Sequence, residues 1–110
     1  MVMPYIKQEQ RAPLDALIDN LAGVVVEVAG ADGPPFDSAD FAGVLNYTIT
    51  RLVMQVINVR FGVVRYHVVA TVSGVLTNVA TELYRRVWAP YEDKCITKNG
   101  DLPLFDKLAK

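Results

Sequence analysis

Cysteine and histidine are almost missing from the chain, which holds one Cys95 and one His67 among 110 residues. A lone thiol closes no internal disulfide, and small secreted domains usually carry several, so a reducing, cytoplasmic setting is expected. One thiol and one imidazole cannot supply a structural zinc site, and no paired acidic spacing on a helix offers a magnesium cage. No metal and no cofactor are expected. A glycine-rich phosphate loop is missing too. Cys95 and Ser73 have only His67 as a base, and the chain lacks the clustered acids of small helical nucleotide pyrophosphohydrolases, so no enzyme is expected.

Excess charge of one sign is also absent, the net value being -1. No global basic field exists to hold duplex nucleic acid, which is not expected as a partner. Long hydrophobic runs are missing: the longest charge-free stretch, Tyr66 to Thr81, spans sixteen residues. It is interrupted by His67, Thr71, Ser73, Gly74, Thr77 and Asn78, too short and too polar to cross a bilayer. No basic segment leads into an apolar one near the N-terminus, so neither a signal peptide nor a membrane partner is expected.

What is present is apolar, 52% of residues against 21% charged. That composition folds, and in so short a chain it leaves apolar surface over for a partner. Leu14, Leu17, Ile18, Leu21, Val25 and Val28 recur at steps of three and four, which predicts a helix over about 13–29 opened by Pro13. Gly30 to Pro35 reads as a loop, with Asp37 or Ser38 capping the helix that follows. A second helix is predicted over 39–58, its apolar arc running from Phe41 to Ile57. Residues 59–64 are read as a turn around Gly62, with a short strand as the alternative. A third helix is predicted over 65–88, ending before Pro90. Seventeen valines argue for strands, but the sustained helical spacing outweighs them. The expected fold is therefore all-α: one compact three-helix domain over residues 1–110, an irregular tail from Tyr91 around an Asn99-Gly100-Asp101 turn, and one closing helical turn near Leu104 to Leu108.

The charges are unevenly placed. Residues 1–40 hold seven acids against Lys7 and Arg11, whereas residues 41–91 hold five arginines against Glu82 alone. Guanidinium groups read phosphate and carboxylate bidentately, although a solvated face with a Glu82 salt bridge explains the same pattern. On the third helix His67, Thr71, Gly74, Asn78, Thr81, Arg85 and Trp88 follow heptad spacing, either a solvated face or a polar seam that a second helix or ligand approaches. Arg86 falls back on the apolar arc. Either the helix has passed the core by then, or Arg86 is held by Glu82, by a partner's acid or by a bound anion.

Tyr5-Ile6-Lys7-Gln8-Glu9, Leu45-Asn46-Tyr47-Thr48-Ile49-Thr50, Ser73-Gly74-Val75-Leu76, the run from Glu82 to Lys94, and Asn99-Gly100-Asp101 together resemble a family of small uncharacterised proteins of bacteriophages and bacteria. The resemblance spans residues 4 to 101 and implies a phage-like context, with the host cytoplasm as location, but no activity. Within that context the expected function is a homo-oligomeric binding protein that captures an anionic small molecule, a nucleotide signalling molecule, as a sponge acting against host defence. The expected ligand site is Tyr47, Arg51, Asn78, Arg85, Arg86 and Tyr91. The alternative is a structural or interaction protein that assembles with itself or a host protein and has no such ligand.

Overall fold

A computed structural model of the chain describes residues 5–30 and 38–109, and side chains in that range except those of residues 38 and 39. All regular elements among the described residues are helical: α1 (Gln8–Val28), α2 (Ser38–Arg60), α3 (Tyr66–Leu83), a π-helical turn (Tyr84–Trp88), α4 (Ala89–Asn99) and α5 (Pro103–Leu108). The all-α reading holds, the second helix lies where apolar spacing put it, and the third begins where expected. The loop prolines and Asp37 lie outside the described residues, as does the side chain of Ser38, the first residue of α2.

α1 begins five residues ahead of the predicted Pro13 start, because its first turn supplies its own partners. The Lys7 N–H donates to Gln10 Oε1 at 3.1 Å, and Arg11 Nε donates to the Ile6 carbonyl at 3.0 Å. Pro13 then sits inside the helix. At the other end of α2 the turn around Gly62 is as read: the Gly62 N–H donates to the carbonyls of Ile57 and Asn58 at 3.2 and 3.0 Å, with φ at +71°. Such a left-handed residue closes a helix by capturing carbonyls that have no partner in the last turn. A Cβ there meets backbone repulsion, so Gly62→Ala should lower stability by about 1 kcal/mol, read as a fall of several degrees in the thermal midpoint.

The tail is corrected by the structure. The helix does not end at residue 88 but continues through Pro90 to Asn99, and the tail is helical rather than irregular. Proline has no N–H, and its ring collides with the carbonyl four residues back, here that of Arg86. Widening the preceding turn relieves both problems: the Ala89 N–H donates to the Tyr84 carbonyl, five residues back. Gly100, at φ +89°, then stops α4 with its N–H on the Ile96 carbonyl at 2.8 Å. The closing turn around Leu104 to Leu108 is present as α5.

Internal contacts divide the chain into two units, one within Met3–Val72 and one within Ser73–Lys110. In the first, α1 packs on α2, and the buried residues are Val25, Ile57 and Val68, at 8%, 8% and 2% exposure. All three lie on the apolar arcs read from the sequence. Phe61 meets His67 edge to face at 6.2 Å between ring centroids, and the Arg60 guanidinium lies 5.0 Å from the Phe61 ring, which secures the corner between α2 and α3. In the second unit no described residue is buried, and Val75, Asn78, Glu82, Ala89, Cys95 and Ile96 are half-buried.

Candidate functional site

The six expected ligand residues fall in both units. Tyr47 and Arg51 stand one turn apart on α2, both exposed. Tyr47 borders an open depression of about 460 Å³, whose other described lining residues are Ala42, Gly43, Asn46 and Thr50. The depression exists because Ala42 and Gly43 carry almost no side chain, which leaves the Tyr47 ring and the Asn46 amide standing above it. Thr50 Oγ1 points to Asn46 Oδ1 at 3.4 Å, so the polar rim is already partly self-satisfied. Sequence reading singled out Tyr47 but missed Asn46 and Thr50; their four-residue spacing on the predicted helix was the available signal.

Asn78, Arg85, Arg86 and Tyr91 belong to the second unit. Asn78 is half-buried on α3. Arg85 donates from one guanidinium nitrogen to Glu82 Oε1 at 2.7 Å, an exposed pair one turn long that contributes at most about 1 kcal/mol. The salt bridge weighed from the sequence is therefore present for Arg85. Arg86 is exposed and has no ion pair among the described residues. It lies past the buried core and is not held by Glu82 in this chain.

Tyr91 is exposed and stands one turn before Cys95 on α4. Hydrogen bonding to the Cys95 side chain, and then electrostatic interaction with it, hold the Tyr91 phenol above its usual range. The pairing escaped sequence reading because Cys95 was assigned to an irregular tail; once α4 is recognised, the four-residue spacing makes the two side chains neighbours. Cys95→Ala should return the Tyr91 phenol toward the ordinary range, so that phenolate absorbance from the five tyrosines develops at lower pH than in the parent protein. A titration curve that stays in place would refute the coupling.

Among the described residues no group of three or more His, Cys, Asp or Glu side chains could hold a metal ion, and no helix is long and apolar enough to cross a membrane. The arrangement is one of exposed guanidinium and phenol groups carried on amphipathic helices. These features define an all-α protein whose polar candidates are carried on helices. Residues 3–102 match the family described as a domain of unknown function, DUF6899, and the chain belongs to that family. Neither the curated proteins nor the solved structures contain a match to it.

Proposed function

We propose that the protein is a self-assembling helical module whose working form is a homo-oligomer. The observation that carries this reading is how few apolar side chains the described residues bury: only Val25, Ile57 and Val68 are buried, while Leu17, Val28, Val59 and Leu108 are each about two-thirds or more exposed. Apolar area on this scale drives association in water. Sedimentation at micromolar concentration should give a mass of two copies or more, and a monomer mass would end the reading.

A second reading, capture of an anionic small molecule such as a nucleotide, is favoured by α2. Arg51 has no ion pair among the described residues and stands one turn from Tyr47 at the open depression. A guanidinium and a phenol so placed would hold a phosphate and stack or hydrogen-bond a base. Calorimetry against linear and cyclic nucleotides tests it: Arg51→Ala should weaken binding about tenfold to a hundredfold, as loss of one charge-assisted contact does. No binding at micromolar ligand would leave assembly as the sole function.

A further inference from the structure

The second unit contains no buried side chain among its described residues, yet it carries a line of exposed apolar ones. Leu76, Val79 and Leu83 follow one another at three and four residues on α3 and range from 42% to 47% exposed. In an unbroken α-helix the next position on that line is Arg86. The π turn changes this, because it takes one residue more than an α turn. The line then passes to Val87 and, one turn later on α4, to Tyr91, which are 47% and 68% exposed. The turn imposed by Pro90 thus keeps an apolar stripe continuous past two arginines and moves Arg86 from its centre to its flank. Glu82, one turn before Arg86, lies on the same flank.

We propose that this stripe is the contact between two copies of the chain, paired antiparallel about a two-fold axis near Leu83. The inference rests on the self-assembly reading and specifies its surface and orientation. The midpoint of the stripe falls between Leu83 and Tyr84, with Glu82 on one side and Arg86 on the other. An antiparallel pair therefore sets Arg86 of each copy beside Glu82 of the other, twice by symmetry. A parallel pair puts the Glu82 and Arg86 flanks of the two copies on opposite sides of the contact, so neither guanidinium meets the other copy's carboxylate. Glu82 is already engaged, by Arg85 among others, and the about four lone-pair sites of a carboxylate leave room for a guanidinium of the other copy. The pairing gives the Arg86 guanidinium an acid and covers an apolar line that would otherwise face water.

The test is a charge swap read by sedimentation of the full chain. Arg86→Glu and Glu82→Arg should each weaken the dimer about tenfold or more, since each puts like charges together at both symmetric positions. The double variant should restore affinity to within about threefold of the parent. Leu83→Asp, at the axis, should give monomers that keep their helical circular dichroism. A parent protein that is itself monomeric defeats the self-assembly reading and this inference together. A parent oligomer that neither single reversal weakens, or that the double variant fails to restore, defeats this inference alone and places the contact elsewhere on the chain.

Discussion

Val68→Asp should abolish cooperative unfolding of the first unit. Val68 is the most completely buried residue described, at 2% exposure, and only Val25 and Ile57 share its class there. A carboxylate at that position loses its hydration without gaining a partner, since none of the described residues puts a buried polar group there to receive it. The cost is about 3 kcal/mol or more, a large share of what so small a core supplies. Val69→Asp is the matched control. Its side chain is about half exposed, so the new charge stays hydrated, and the change should stay within about 0.5 kcal/mol. Thermal melts followed by circular dichroism check both, and equal losses from the two variants would show that α3 is not anchored through Val68.

Pro90→Ala should have the second large effect, with opposite signs in two measurements. Alanine supplies the missing N–H and removes the ring that presses on the Arg86 carbonyl, so the π turn can close into regular helix. The gain in local helix stability is up to about 3 kcal/mol, the difference between the two residues in a helix interior. Closing the turn removes its extra residue from the register and turns every position beyond it by about 100°. Val87 and Tyr91 then leave the line of Leu76, Val79 and Leu83, and Arg86 returns to it. Helical content should rise while association weakens. A variant with more helix and unchanged association would show that the apolar stripe is not a contact surface.

The candidate site was legible in the sequence only in pieces. Tyr47 and Arg51 could be placed together because both lie within one helix whose spacing was clear. Arg85 could be given its Glu82 salt bridge on three-residue spacing alone. Tyr91 and Cys95 could not be paired, because Pro90 was taken as the end of the helix that joins them. Arg86 stood on the apolar arc by an angular count that assumed an unbroken α-helix, and that count fails once one turn contains an additional residue.

The sequence by itself determined that the chain is helical, where its apolar arcs run and that Gly62 ends the second helix, since these follow from local periodicity and from a backbone conformation that only glycine adopts without strain. The buried Val25, Ile57 and Val68 stand on those arcs, but so do many apolar residues that stay exposed. Tertiary structure decided how little of each arc is covered and that the helix survives Pro90, because burial depends on which segments meet, and passage through a proline depends on whether the turn before it can widen. Those two outcomes leave many apolar side chains of the described residues exposed.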